Sequence, residues 1–306
     1  MRLKLRPLVL VTATAAVLAA VPGTATADPR PTALLLSSYL DNYRIDPVTG
    51  VVTPDPVVGM DVVPSPKGDR IAYTKDVVPC VPYWDGSCNP TLELVTADPD
   101  GTDERLVFSG GTESTSFSTP DWSPDGKQIL FTATSDPGGG LRGIAVVNVD
   151  GTGLRSLDRL GYRGTFSPDG KEIAYVRGSE VWVVNVATGA SRAVTAGAEV
   201  WAEAPDWSPD GKRIAFTTSF DVLTVSPKGG PVTTVIKWGM PFSISAARTP
   251  VYSPDGTQIA FAALLTDPND PMSETFSGVL ILDVELGDPH LVARQWSNLT
   301  DWVRTG

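Results

Sequence analysis

One motif occurs five times in this 306-residue chain and limits what the chain can fold into. An apolar or aromatic position precedes Ser-Pro-Asp/Lys-Gly, and an Ile-Ala/Leu-aromatic triplet follows. The copies are Val63-Pro64-Ser65-Pro66-Lys67-Gly68 with Ile71-Ala72-Tyr73, and Trp122-Ser123-Pro124-Asp125-Gly126 with Ile129-Leu130-Phe131. Phe166-Ser167-Pro168-Asp169-Gly170 leads to Ile173-Ala174-Tyr175, and Trp207-Ser208-Pro209-Asp210-Gly211 to Ile214-Ala215-Phe216. The fifth is Tyr252-Ser253-Pro254-Asp255-Gly256 with Ile259-Ala260-Phe261. The motif prolines, at 66, 124, 168, 209 and 254, recur every 41 to 45 residues apart from one stretched interval. Proline presets φ at the first corner of a turn, Asp bonds the backbone ahead of it, and Gly accepts positive φ. Each motif is therefore a tight reversal between two half-buried strands. A second strand pair follows in each unit, as in Ile144–Val149, which turns at Asp150-Gly151 into 154–157. Four short strands at this period are the mark of a β-propeller blade.

The two ends complete the count. Leu299-Thr300-Asp301-Trp302 matches Asp121-Trp122 and Asp206-Trp207 at the opening of a blade, and the chain then stops. Leu34-Leu35-Leu36 through Thr49-Gly50 aligns without a gap on Ile173-Ala174-Tyr175 through Thr188-Gly189. The expectation is an all-β, six-bladed propeller over 34–306, its sixth blade built from both termini, behind a 28–33 linker. Shared closure removes the open seam at the termini.

The run Pro205-Asp206-Trp207-Ser208-Pro209-Asp210-Gly211-Lys212 with Ile214-Ala215-Phe216, nearly repeated at 120–131, resembles the propeller repeat of TolB-type proteins. It is also similar to repeats in the propeller domains of prolyl oligopeptidases and dipeptidyl peptidases. The resemblance covers about residue 34 to the end and is carried by turn and packing residues. It implies a periplasmic propeller that binds protein partners at the cell envelope. The α/β domain that precedes the propeller in TolB has no counterpart expected here.

Arg2, Lys4 and Arg6, the apolar stretch Leu8–Val21 and Ala25-Thr26-Ala27 read as an export signal cleaved after Ala27. The stretch is short for a membrane span. The expected location is secreted or at the envelope exterior. Losing the three basic residues of 1–27 takes the formal charge from −11 to −14, which disfavours nucleic acid and anionic membrane surfaces as partners. In an exported chain the two cysteines, Cys80 and Cys88, are expected to form a disulfide within an insertion in blade one.

Signs of catalysis are sparse. The one histidine, His290, reads as a hairpin-edge residue, and no Gly-x-Ser-x-Gly elbow is present. Multi-histidine metal sites are excluded by that count. Asp98-Pro99-Asp100-Gly101-Thr102-Asp103 lacks EF-hand spacing and reads as an outer hairpin turn. Asp267-Pro268-Asn269-Asp270 with Glu274 reads as a solvated acidic loop, with Ca2+ binding the competing reading. No other cofactor is expected. Asn298-Leu299-Thr300 fits a glycosylation triplet but runs into the sixth inner strand.

Function on such a scaffold falls to its loops. The Ser-Pro-Asp-Gly and outer hairpin turns share one rim and are short and regular. The opposite rim carries the long, unlike segments 77–90, 109–119, 134–143, 238–250 and 266–278. Around the channel mouth it is expected to place Tyr162, Arg163, Glu199, Trp201, Glu203, Trp238, Arg248 and Trp296. Aromatics beside charges suit a protein, peptide or glycan. The reading is thus a monomeric, non-catalytic binding propeller. The alternative is a glycan- or peptide-processing hydrolase or lyase using Glu199 and Glu203, whose spacing on an extended segment points both to one side.

Overall fold

The computed structural model describes residues 32–37, 42–57, 59–76, 92–109, 116–134, 141–236, 243–266, 275–294 and 298–304. The segment 1–27, Cys80, Cys88, the 267–274 loop, Trp238 and Trp296 lie outside the described residues. The described chain forms six antiparallel sheets of four strands each. Blades one to five span 60–109, 116–158, 161–193, 203–234 and 243–293. Blade six takes its inner strand, Asn298–Arg304, from one end of the chain and its other three, Thr32–Ser37, Asn42–Ile45 and Val52–Asp55, from the other. Leu34 pairs with Trp302 and Leu35 with Asp301 across that junction.

The repeated motif makes the turn that its residues dictate. Gly126 N–H donates to Ser123 O at 2.8 Å, and Ser123 N–H to Gln128 O at 2.9 Å. Ser123 Oγ donates to Asp125 Oδ1 at 2.7 Å and accepts from Gln128 N–H at 2.9 Å. The same Ser–Asp pair recurs at Ser167/Asp169, Ser208/Asp210 and Ser253/Asp255. In blade one Lys67 stands at the Asp position, and Ser65 Oγ finds Asp69 Oδ1 instead, at 2.8 Å. The turn glycine at 211 holds φ at +70°, and a Cβ there would meet only Pro168 Cδ at 4.0 Å. Gly211→Ala is therefore expected to cost about 1–2 kcal/mol through backbone conformation alone, because there is room for the methyl. Chemical denaturation of the variant checks this.

Each inner strand of blades one to five carries a bulge. The residue at the bulge has positive φ without being glycine: Asp61, Thr119, Arg163, Ala204 and Thr249, at 53°, 51°, 51°, 43° and 42°. Register with the second strand breaks at the same place in every blade. A bulge re-aims the strand, here towards the axis, and five equivalent ones give the channel its wall.

Packing runs between blades, as it must where a single sheet cannot cover its own faces. Five apolar clusters each join two neighbouring blades. Phe131, Phe117 and Trp122 of blade two meet Leu94 and Val107 of blade one. Trp302 and Leu299 of blade six meet Val251 and Ile281 of blade five. Among the described residues the sixth cluster, Val57, Val62, Ile71, Tyr73, Val95 and Ala97, comes from blade one and the segment leading into it.

Strands reach further into the irregular rim than the sequence pattern indicates. Blade five has a ten-residue inner strand, Ser243–Tyr252, paired with the nine-residue Gln258–Thr266. Arg248 therefore sits in a strand, one residue before the bulge at Thr249, and not in a loop.

Candidate functional site

The six inner strands enclose an axial cavity of ≈ 150 Å3. Its wall takes one layer from the bulge residues and another from the position two residues on. At that second position the blades alternate. Blades one, three and five present Val63, Thr165 and Val251, while blades two, four and six present Asp121, Asp206 and Asp301. Three carboxylates from alternate blades thus converge on one channel. Asp61 adds a fourth carboxylate and Arg163 the cation among the lining residues.

These carboxylates also tie blade to blade. Phe166 N–H of blade three donates to Asp121 Oδ2 at 2.7 Å, and Tyr252 N–H of blade five to Asp206 Oδ2 at 2.8 Å. Thr119 N–H of blade two donates to Asp61 Oδ2 at 2.9 Å. By the same pattern Asp301 would accept from residue 64, but Pro64 has no N–H. Asp301 Oδ1 instead accepts from its neighbour, Trp302 N–H, at 2.7 Å. Burial is the main cause that pushes all three acids upward, Asp301 to about 6, Asp121 to about 7 and Asp206 to about 8. The negative charge of Asp301 raises the other two further, and the Phe166 and Tyr252 N–H groups oppose the shift. Thr249 Oγ1 is buried without a hydrogen-bond partner. Among the described residues no three Asp, Glu, His or Cys side chains form a group that could hold a metal ion.

The irregular rim lies at one mouth of this channel. Arg163 Nη1 stands 3.8 Å from Glu203 Oε2, so blades three and four meet there in an ion pair open to solvent. Such a pair adds little to stability. Tyr162 is half-buried beside it, and its hydroxyl donates to Gly178 O at 3.3 Å. Burial raises the Tyr162 phenol, and the charge on Glu203 adds to the effect. Trp201 is 79% exposed. The backbone beside it is tied to blade three, where Ala202 N–H donates to Ser179 O at 3.0 Å. Glu203 pairs with Thr217, so Trp201 and Phe220 both project beyond the same end of blade four. Phe220 is 56% exposed, as is Leu160 at the entry to blade three. Arg248 is exposed nearby on blade five. Glu199 is exposed too, but Val200 N–H donates to Ala198 O at 2.8 Å, which places Glu199 on a tight turn ahead of the strand. The two glutamates do not share one extended segment.

Other candidate residues resolve simply. His290 is exposed on the outer strand of blade five, opposite Ile281. Asp98–Thr102 is a hairpin turn, closed by Gly101 N–H to Asp98 O at 2.8 Å and tied to Arg70. Asn298–Thr300 lies in the inner strand of blade six. The sequence reading did not single out Phe220, Leu160 or the channel acids as site residues. The acids did leave a signal in the alternation of Asp with Val or Thr before each motif aromatic.

Comparison with known proteins places this architecture. Residues 163–225 match the dipeptidyl peptidase IV (DPP IV) N-terminal region family. The chain is 28% identical over 132 residues to the Tol-Pal system protein TolB of Francisella tularensis subsp. mediasiatica, a match covering 41% of this chain and 29% of the relative. The aligned region thus spans under a third of that protein's length. In structure the chain is similar to TolB from Acinetobacter baumannii, with a TM-score of 0.63 at 17% identity, covering 89% of this chain and 66% of that one. It also resembles an oligogalacturonate lyase from Vibrio parahaemolyticus, with a TM-score of 0.55 at 14% identity, over 82% of this chain and 74% of the lyase. At these identities the structural likenesses establish the fold. Among the described residues no helix is long and apolar enough to cross a membrane.

Proposed function

Because the chain is a TolB-type six-bladed β-propeller, we propose that it is an exported, non-catalytic binding protein that takes a protein or peptide partner on its irregular rim. The observation that carries this reading is Trp201, a large aromatic side chain 79% exposed beside a backbone bond to the neighbouring blade. Trp is enriched among the anchors of interfaces, where burying it supplies much of the binding energy. Phe220 and Tyr162 extend the apolar surface, and Arg163, Glu203 and Arg248 supply the charges that fix orientation. The opposite rim offers the regular motif turns, whose polar groups are consumed by their own backbone. The reading of 1–27 as an export signal and the Tol-Pal system named for the relatives support an envelope setting.

The test is affinity capture from envelope extract with the mature protein as bait, in parallel with Trp201→Ala, Arg248→Ala and the motif-rim change Lys212→Ala. Specific capture is expected to fall about tenfold or more with Trp201→Ala, the scale of a central interface anchor. Lys212→Ala is expected to leave it unchanged. Capture that survives Trp201→Ala and Arg248→Ala but is lost with Lys212→Ala assigns binding to the other rim.

A further inference from the structure

We propose that the seam between blades one and two on the motif rim is a binding site for a small monocarboxylate carried on an apolar group, held by Lys67. This site is separate from the irregular-rim surface and does not depend on it. Elsewhere on the motif rim the turns of successive blades touch. A Cβ on Gly170 would lie 3.4 Å from Pro124 Cδ, one on Gly211 4.0 Å from Pro168 Cδ, and one on Gly256 3.4 Å from Pro209 Cδ. The equivalent partner of Gly126 is Pro66, yet a Cβ on Gly126 would meet nothing within 4 Å. The motif turns of blades one and two thus stand apart, and a cleft of ≈ 230 Å3 opens between them. Pro66 and Lys67 line it from blade one, and Trp122, Pro124, Gly126 and Val149 from blade two.

Blade one is also where the motif charges change places. Blades two, three and four read Asp-Gly-Lys, and each lysine pairs with its own aspartate, at 3.5, 3.3 and 2.9 Å. Blade one reads Lys67-Gly68-Asp69, and Asp69 is engaged instead by Ser65 Oγ at 2.8 Å. The other cations lining the cleft are paired, Arg70 with Asp98 and Asp103, and Arg105 with Asp103. Among the described residues Lys67 has no ion-pair partner, and its ammonium is the free charge of the cleft. One free ammonium matches a single negative charge. Asp69 and Asp125 on the same lining oppose a dianion such as phosphate. Pro66, Pro124, Val149 and Trp122 offer apolar contact to the group that carries the carboxylate, while a charge-assisted bond from Lys67 Nζ fixes its orientation.

Titration of the full chain with N-acetyl-leucine, followed by amide and indole NMR, tests this. The Gly68 and Gly126 amides and the Trp122 indole N–H are expected to shift, with a dissociation constant on the order of 1 mM for so small a ligand. N-acetyl-leucinamide, which lacks the charge, is expected to leave these signals in place. Lys67→Gln is expected to weaken binding of the acid about tenfold, and Lys67→Arg to retain it. Lys171→Gln, on the closed seam between blades two and three, is expected to change nothing. An equal response to acid and amide, a tighter response to inorganic phosphate, or an affinity untouched by Lys67→Gln overturns the proposal. So does the absence of any shift at these signals with about 20 mM acid, well above the expected constant.

Discussion

Deleting residues 299–306 is expected to abolish the cooperative melt of the folded protein or lower its midpoint by about 10 °C or more. The segment carries Trp302, 6% exposed, and Leu299, 3% exposed, both packed against Val251 and Ile281 of blade five. Truncating a buried Trp costs about 3–5 kcal/mol and a buried Leu about 2–5. Together they account for much of the roughly 5–15 kcal/mol by which an ordinary domain is stable. The deletion also strips the pairing that runs along Thr32–Ser37 and leaves that strand as a bare edge. Losing about 6–10 kcal/mol, as the two truncations together imply, lowers the midpoint of a chain this size by about 10–16 °C. Calorimetry of the truncated protein is the measurement. A midpoint equal to that of the intact chain would mean that the sixth blade does not close the ring.

Asp206→Asn is expected to stabilise the protein at pH 8 by about 2–4 kcal/mol. Its folded-state value, about 8, lies far above the ordinary 3.8. A carboxylate raised in this way is protonated in the folded state and ionised in the unfolded one between those limits. Its presence therefore weakens the fold progressively as pH climbs from about 4 to 8. Each pH unit is worth about 1.4 kcal/mol at most, and relaxation around a buried ion reduces the total. Asn keeps an oxygen to accept the Tyr252 N–H and carries no charge. The advantage of the variant is expected to vanish near pH 4, which urea titrations at pH 4.5, 6 and 8 resolve. A variant less stable than the wild type at pH 8 would show that Asp206 is an ion balanced by a cation in the channel.

Much of the fold was legible because turn chemistry is local. Ser123, Pro124, Asp125 and Gly126 each carry a fixed duty within six residues, so five copies with a regular period identify blades without knowledge of their packing. The shared blade was legible for the same reason, since Asp301-Trp302 repeats Asp121-Trp122. The site was less so. Trp207 is marked as a packing residue by its motif and is buried between blades, whereas Trp201, six residues earlier and outside the motif, is a bare anchor. The backbone beside Trp201 is tied to another blade by the Ala202–Ser179 bond, which no local pattern announces. The bulges at Thr119 and Ala204 likewise turn Asp121 and Asp206 into channel residues. The alternation of those acids is visible in the sequence, but its convergence on an axis appears only once six blades are closed into a ring. Glu199 and Glu203 illustrate the converse, because the assumed extended segment between them is broken by a turn at 198–200.

The central claim is that binding belongs to the irregular rim near blades three and four. Exchange footprinting of the protein alone and with its captured partner tests it most directly. The account predicts new protection at 160–163, 199–203 and 218–221, with the motif turns at 123–126, 167–170 and 208–211 unchanged. Protection confined to those turns, with Trp201 and Phe220 still open, would contradict it.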